Sequence, residues 1–163
     1  MPAPYCLDTS IFIQANNGGY AMDIVPAFWK WLDKEFAVGR ITSCRTVYDE
    51  IAPGNDDLAQ WVKARRNTPV FEPPDAKVQA EYPNIATYVT GKYAAHQSSL
   101  FLKGADAWVI ARSKVYGMTV VTAEQLVDGT SKKAKIPNVC KQFGVKYTDT
   151  YDMLRALGAK FDM

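Results

Sequence analysis

The sequence predicts an α/β fold in which helices cover both faces of a central, mainly parallel β-sheet. Short apolar and β-branched segments alternate with amphipathic segments at helical spacing, which is typical of parallel strands joined by crossover helices. The 163 residues correspond to about one ordinary domain. Because no internal repeat, low-complexity tract or clear linker divides the sequence, we expect residues 1–163 to form one domain.

In the first half of the chain, two short runs are predicted as strands and three amphipathic segments as helices. The stretch Asp8-Thr9-Ser10, directly after the first run, is typical of a turn or a helix cap. Pro26 is tolerated because it falls in the first turn of its helix, and Asp56 and Asp57 suit the positive beginning of another. Clustered Asn and Gly indicate a loop at residues 16–19. The predicted elements are strands at 3–7 and 40–43 and helices at 24–36, 46–51 and 56–66.

The second half begins with a less regular segment, residues 68–102, in which 69–74 is predicted as extended and the remainder contains helical stretches. Apolar residues at helical spacing then predict a helix that Gly117 caps. A β-branched strand and a polar, lysine-bearing loop at 128–135 follow, and Pro137 suits the first turn of the next helix. The predicted elements here are helices at 105–116, 137–143 and 149–157 and strands at 118–122 and 145–147.

Composition narrows the class of protein. Hydrophobic residues make up 48% and charged residues 22%, which is ordinary for globular proteins and indicates neither disorder nor a membrane protein. No secretory signal pattern opens the sequence, so we expect a cytoplasmic protein. Cys6, Cys44 and Cys140 form no close pair and have no histidine cluster beside them, which favours buried thiols over disulfides or zinc. The net charge of +2 permits a nucleic-acid partner without requiring one.

Four carboxylates occupy positions from which they could form a ligand site. Asp8 and Glu124 each follow a predicted strand. Asp106 opens a predicted helix, and Glu50 lies within an earlier one. Ligand sites in parallel sheets lie beyond the carboxyl ends of the strands. Mg²⁺ and Mn²⁺ prefer oxygen ligands, and several carboxylates in one pocket repel one another unless a cation is present. The residue types therefore fit a divalent metal site.

The order of these acids resembles the PIN-domain nucleases, particularly the VapC-like ribonucleases of toxin–antitoxin pairs. The resemblance covers essentially the whole chain and is closest to a less characterised PIN branch. Each motif is short, so the resemblance rests on their order and their strand or helix context. The motifs are Leu7-Asp8-Thr9-Ser10, Val47-Tyr48-Asp49-Glu50, Ala105-Asp106 with Ile110-Ala111, Val120-Val121-Thr122 with Glu124, the stretch 135–140, and Phe143-Gly144-Val145.

This resemblance implies a three-layer α/β/α fold with a central sheet of about four to five strands, and hydrolysis of RNA phosphodiester bonds with Mg²⁺ or Mn²⁺. It implies that Asp8 and Asp106 are metal ligands and that Glu50 is a ligand or a water-orienting base. Glu124 is expected to be a secondary ligand, directly or through water; many PIN nucleases carry aspartate there. The supporting hydroxyl groups and the phosphate-contacting lysines are expected to be Thr9, Ser10, Thr122, Lys132, Lys133 and Lys135.

The resemblance also implies partners: an RNA substrate, a protein antitoxin and a second copy of the chain in a homodimer, with no membrane. The alternative function is a PIN-like RNA-binding or regulatory module without turnover. A haloacid-dehalogenase-like phosphohydrolase is disfavoured, because its Asp-x-Asp pattern would need an acid where Ser10 stands. For single residues, plainer roles stay open: Asp8 and Asp106 as residues that cap or charge a helix start, and Glu50 and Glu124 as solvated acids.

Overall fold

The centre of the computed structural model, which describes residues 4–162, is a four-stranded sheet with the strand order β2-β1-β3-β4. The strands are β1 (Tyr5–Leu7), β2 (Ile41–Thr42), β3 (Thr119–Val121) and β4 (Tyr147–Thr148). Every pairing is parallel, and Cys6 of β1 lies between Thr42 of β2 and Val120 of β3. The predicted parallel sheet is confirmed with four strands. The predicted start of the first strand at residue 3 lies outside the described residues.

The described residues also form nine α-helices, of which α5 is the longest with 17 residues. No helix between residues 4 and 162 combines the length and the apolar character needed to cross a bilayer. The helices are α1 (Thr9–Asn17), α2 (Pro26–Val38), α3 (Arg45–Ile51), α4 (Asp57–Lys63), α5 (Ala76–Lys92), α6 (Ala95–Lys103), α7 (Asp106–Tyr116), α8 (Ile136–Gln142) and α9 (Thr150–Ala156).

Local sequence explains where several helices begin and end. The Asp56 carboxylate accepts from the Ala59 amide at 2.9 Å and caps α4, as aspartate before a helix commonly does. Pro26 occupies the first turn of α2, where its missing amide costs no hydrogen bond. α7 ends at Gly117, whose φ of 65° lies in the left-handed region that favours glycine. The roles predicted for Pro26 and Gly117 are confirmed.

Helices lie on both faces of the sheet. The chain runs from β1 through α1 and α2 to β2, returns past β1 to β3, and continues through α8 to β4. Crossovers between parallel strands are right-handed, so this reversal puts α1 and α2 on one face and α7 and α8 on the other. The contacts of α7 with β1, β3 and α8 agree with that placement. The predicted three-layer α/β/α fold is confirmed.

Apolar side chains from both layers meet in one continuous core around the sheet. Cys6 and Leu7 of β1 are fully buried. The ring of Phe12 on α1 packs against Trp61 and Phe71, with centroid distances of 6.0 and 6.2 Å. The three cysteines are buried and unbridged, as predicted. This packing fixes the carboxyl ends of the strands, on which the candidate site is built.

The predicted loop at residues 16–19 is wrong in its first half, because Asn16 and Asn17 complete the last turn of α1. The Asn16 side chain bonds to other parts of the chain instead of turning its own backbone. Its Nδ2 donates to Asp57 Oδ1 at 2.8 Å, and its Oδ1 accepts from the Met22 amide at 3.1 Å. These contacts, which local composition does not reveal, keep the residue helical.

The extended conformation predicted for residues 69–74 is also wrong in its first half, where Pro69–Phe71 forms one 3₁₀ turn. Val70 and Phe71 are buried there, and the Val70 carbonyl accepts from the Ser43 amide at 3.1 Å, just beyond β2. Glu72, the next residue, has extended backbone as predicted. Burial of two apolar side chains therefore decides the conformation of this segment.

Candidate metal centre

The candidate site lies at the carboxyl ends of β1 and β3. From β1 the chain goes to β2 on one side, while β3 lies on the other, so the crevice between β1 and β3 is the topological switch point where ligands bind in such sheets. Asp8 directly follows β1, and Glu124 follows β3. A crossover helix runs back against the strands, which brings Asp106, the first residue of α7, to the same edge.

Three of the four predicted acids meet at this edge. One carboxylate oxygen from each of Asp8, Asp106 and Glu124 lies within 4.8 Å of the other two, and we call these residues the acid cluster. With Mg²⁺–oxygen bonds of about 2.1 Å, ligands on opposite sides of the ion stand about 4.2 Å apart. Small side-chain movements would therefore let the acid cluster hold a divalent cation, and its all-oxygen donor set fits Mg²⁺ or Mn²⁺.

Asp8 is held in place through both of its carboxylate oxygens. The Ser10 hydroxyl donates to Oδ1 at 2.6 Å and the Thr122 hydroxyl donates to Oδ2 at 2.8 Å. The Ile11 amide also donates to Oδ1, at 3.3 Å, so Asp8 caps α1 as well. The residue is only 2% exposed. Helix capping and membership of the acid cluster are thus compatible roles of one carboxylate.

The same two hydroxyl groups also fix the loop that carries Glu124. Ser10 Oγ accepts from the Ala123 amide at 3.0 Å, and Thr122 Oγ1 accepts from the Glu124 amide at 3.1 Å. Each hydroxyl therefore connects the Asp8 carboxylate to the backbone after β3. Ser10 and Thr122, which were predicted as supporting residues, both hydrogen-bond to the Asp8 carboxylate.

Glu124 reaches the acid cluster from that loop. Its Oε2 accepts from the Ile136 amide at the start of α8 at 3.2 Å. Its Oε1 lies 3.8 Å from Lys135 Nζ. Sequence reasoning did not anticipate the amide contact, although Pro137 predicted a helix start nearby. The two contacts restrain the long Glu124 side chain at the acid cluster.

Glu50 lies beside the acid cluster and outside it. Its carboxylate accepts from the Ala105 amide, immediately before α7. A Cβ atom at Gly104 would lie 2.6 Å from Glu50 Oε1, so the absence of a side chain there permits the close approach. The negative charge of Glu50 is one of the groups that raise the pKa of Asp106. Glu50 therefore holds the beginning of α7 and adds negative charge near Asp106.

Burial and mutual repulsion disfavour ionisation of the acid cluster. Burial raises the pKa of Asp8 to about 7. Burial first, and then the charges of Glu124, Asp8 and Glu50, raise the pKa of Asp106 to about 8, against the opposing effect of Lys135. Burial also raises the pKa of Glu124. Carboxylates in this condition bind either a proton or a cation, and a divalent ion would favour their ionised forms.

The remaining predicted residues surround the acid cluster at different distances. Lys133 and Lys135 line a cavity of about 300 Å³ together with Asp106 and Glu124. Lys132 is exposed and, within the described chain, does not line that cavity. The Thr9 hydroxyl is buried and has no hydrogen-bond partner among residues 4–162. Two of the three lysines are thus brought to the acids.

Comparisons with known proteins describe the fold. A family model described as "Domain of unknown function (DUF4411)" matches residues 5–161. No curated protein sequence matches the chain significantly. The crystal structure of FitAcB from Neisseria gonorrhoeae is similar with a TM-score of 0.52 and 19% sequence identity, over 90% of this chain and 98% of that one.

A second similar structure is VapBC2 from Rickettsia felis bound to a DNA fragment from their promoter. Its TM-score is 0.50 and its sequence identity 14%, over 89% of this chain and 97% of that one. The likeness to both structures confirms the PIN-like α/β fold that was expected from the sequence. At these identities the likeness concerns the fold.

The raised pKa values give a testable dependence of stability on pH. A carboxyl group whose pKa is higher in the folded than in the unfolded chain favours folding at low pH, and that contribution is lost as the pH rises through the folded pKa. Without divalent cations, we expect the free energy of unfolding to fall by on the order of a few kcal/mol between pH 4 and pH 8.5. Urea denaturation across this range measures the change.

Two comparisons test whether the acid cluster causes this fall in the free energy of unfolding. Asp106→Asn removes the carboxyl group whose pKa is raised to about 8, so the free energy of unfolding should vary less with pH. Asp49→Asn removes an exposed acid of α3 and should leave the pH dependence unchanged. Mn²⁺ should restore stability at pH 8 and have little effect at pH 5, where protons already occupy the carboxylates. An equally steep fall in wild type and Asp106→Asn would contradict the assignment.

Proposed function

The chain belongs to the DUF4411 family, and we propose that it is a Mg²⁺- or Mn²⁺-dependent endoribonuclease, the toxin of a type II toxin–antitoxin pair. The observation that carries the proposal is the acid cluster, in which carboxylate oxygens of Asp8, Asp106 and Glu124 lie within 4.8 Å of one another at the switch point of a PIN-like sheet. The reaction is hydrolysis of a phosphodiester bond in RNA.

Asp8 and Asp106 would hold the metal ion most directly, with Glu124 as a third ligand. A bound divalent cation would polarise the scissile phosphate and lower the pKa of the attacking water. Asp8 is restrained by the hydroxyl groups of Ser10 and Thr122, so its oxygens keep their direction. The carboxylate oxygens of Asp8 are therefore already oriented before a cation binds, which limits the free-energy cost of rearrangement on binding.

Glu50 would contribute from the edge of this site. Its bond to the Ala105 amide sets the position of the first turn of α7, and hence of Asp106. Its charge also adds to the attraction for a cation. From this position Glu50 could orient a water molecule next to the metal ligands, the base role that the PIN resemblance implies.

Two lysines would recognise the substrate backbone. Lys133 and Lys135 line the cavity of about 300 Å³ that contains Asp106 and Glu124. Ammonium groups bind phosphate oxygens through charge-assisted hydrogen bonds. A phosphate entering this cavity would meet the positive charge of the lysines close to the carboxylates of Asp106 and Glu124, which suits a scissile group held against a metal ion.

Protein partners form part of the proposal. The VapBC2 structure is bound to a promoter DNA fragment. By analogy, this chain would pair with an antitoxin protein that closes the acid cluster, and two copies of the chain would form a homodimer.

The cleavage prediction uses purified protein and single-stranded RNA. Wild type should cleave in the presence of Mn²⁺ or Mg²⁺ and stop when EDTA removes the metal. Asp106→Asn should reduce the rate on the order of 10²-fold, because one ligand loses its charge while the fold is kept. Denaturing gel electrophoresis of labelled RNA follows the products.

Asp49→Asn is the matched control for this measurement, since it removes an exposed acid next to Glu50, and it should cleave like wild type. RNA cleavage by folded Asp106→Asn at the wild-type rate would contradict the proposed mechanism. Metal-dependent RNA binding without cleavage would instead favour the alternative of a PIN-like binding module.

Two substitutions separate the roles of Glu50. Glu50→Gln keeps an oxygen that can accept from Ala105 but removes the charge, while Glu50→Ala removes both. We expect the free energy of unfolding of Glu50→Gln to lie within about 1 kcal/mol of the wild-type value. Its affinity for Mn²⁺ should be roughly tenfold weaker. Glu50→Ala should be further destabilised. Calorimetry with Mn²⁺ and urea denaturation measure the two effects; unchanged Mn²⁺ affinity in Glu50→Gln would limit Glu50 to its hydrogen bond.

A further inference from the structure

A second cavity, of about 410 Å³, contains neither of the two lysines. Glu124 lines both cavities, so the second one adjoins the proposed metal site. Its volume falls within the range of about 300–1,000 Å³ that is usual for small-molecule sites. We call it the tyrosine cavity, after Tyr147 and Tyr151 in its wall.

The pairing of β4 with β3 brings the two tyrosines to this place. Tyr147 lies beside Val120 in the parallel register, and the Thr122 amide donates to the Thr148 carbonyl at 3.0 Å just beyond the strands. Tyr151 then follows in the first turn of α9. The carboxyl end of β4 is therefore bonded to the same loop that carries Glu124.

Large apolar side chains are unusually exposed around the tyrosine cavity. Tyr147 is 37% exposed, Tyr151 is 56% exposed and Leu126, on the loop after β3, is 45% exposed. All three line the cavity. Tyrosine rings open to solvent beside a polar site provide flat surfaces on which aromatic ligands stack.

The charge of the tyrosine cavity disfavours a phosphate as its occupant. Among the described residues, no lysine or arginine lines it. Asp149, Asp152 and Glu124 do line it, and they would repel a phosphate. Asp149 caps α9 through Oδ1, and Asp152 Oδ1 accepts from Arg155 at 3.1 Å. Each of these contacts uses one carboxylate oxygen, so a second oxygen can accept from an amino group of a ligand.

We propose that the tyrosine cavity binds one nucleobase of the RNA substrate, next to the phosphate that is held between the lysines and the acid cluster. The base stacks on Tyr147 or Tyr151, and its amino or ring N–H groups donate to the carboxylates in the wall. The proposal rests on the proposed ribonuclease function and adds a determinant of sequence preference. Adenine, cytosine and guanine carry an exocyclic amino group that uracil lacks, so they fit this acidic wall better than uracil does.

The test compares tyrosine variants on RNA of random sequence. Wild type, Tyr147→Ala and Tyr151→Ala are incubated with Mn²⁺ and single-stranded RNA oligonucleotides, and the product ends are sequenced. Tyr147→Phe and Tyr151→Phe keep the rings. Tyr116→Ala is the control, because Tyr116 has a similar exposure of 43% but lies at the carboxyl end of α7, the end opposite to Asp106. Circular dichroism and thermal unfolding confirm that each variant is folded.

We expect wild type to prefer particular bases at one position beside the cut. At least one alanine variant should lose this preference and raise KM roughly tenfold, the scale of one lost stacking contact, with kcat within about threefold. The corresponding phenylalanine variant and Tyr116→Ala should behave like wild type. A selective effect on KM and base preference distinguishes base binding from a general structural defect, which would also lower kcat and the melting temperature.

Other outcomes separate the two proposals. If wild type cleaves RNA but both alanine variants keep its KM and base preference, the tyrosine cavity proposal is overturned while the ribonuclease function stands. If those variants cleave normally and lose only inhibition by an antitoxin, the cavity is a protein-docking site and the proposal is likewise overturned. If wild type neither binds labelled RNA by fluorescence anisotropy nor cleaves it, the ribonuclease function fails and the base site fails with it.

Discussion

Repulsion among three clustered carboxylates is the constraint on which the candidate site depends. Asp8, Asp106 and Glu124 come from distant parts of the sequence, yet one oxygen of each lies within 4.8 Å of the others. Burial raises the pKa of all three carboxyl groups, and neighbouring negative charge raises the pKa of Asp8 and Asp106 further. The rest of the fold must hold these groups together against that repulsion. A divalent cation would turn the same arrangement into a favourable one.

The fold supplies this restraint through short, specific contacts. β1 is buried in the middle of the sheet, and the hydroxyl groups of Ser10 and Thr122 bridge Asp8 to the loop after β3. The Glu50 carboxylate holds the backbone before Asp106. Helix starts also meet at this edge, so backbone amides, which carry partial positive charge, face the acids. Two cavities of different charge share Glu124: lysines line one of them, and acids and tyrosines line the other.

The parallel sheet and the acids at the strand ends could be predicted because both depend on local pattern. Apolar runs indicate buried strands, and an acid directly after such a strand must lie at the carboxyl end of the sheet. The sequence did not predict the Glu50 contact, which depends on how the chain turns before α7. α5 contains Pro83 in its interior, and the neighbouring Tyr82 stacks on Trp108 of α7 with ring centroids 4.0 Å apart, a tertiary contact that local pattern does not reveal. The tyrosine cavity was missed because Tyr147 reaches the acids only through the register of β4 on β3.

The most direct test of the account is a crystal structure of the protein grown with Mn²⁺, with anomalous diffraction used to locate the metal. The account predicts an anomalous peak bonded to carboxylate oxygens of Asp8 and Asp106, at about 2.2 Å, with Glu124 bonded directly or through one water. The peak should vanish in crystals of Asp106→Asn grown under the same conditions. Ordered wild-type crystals with no Mn²⁺ between these residues, at saturating metal and a pH above 8, would contradict it.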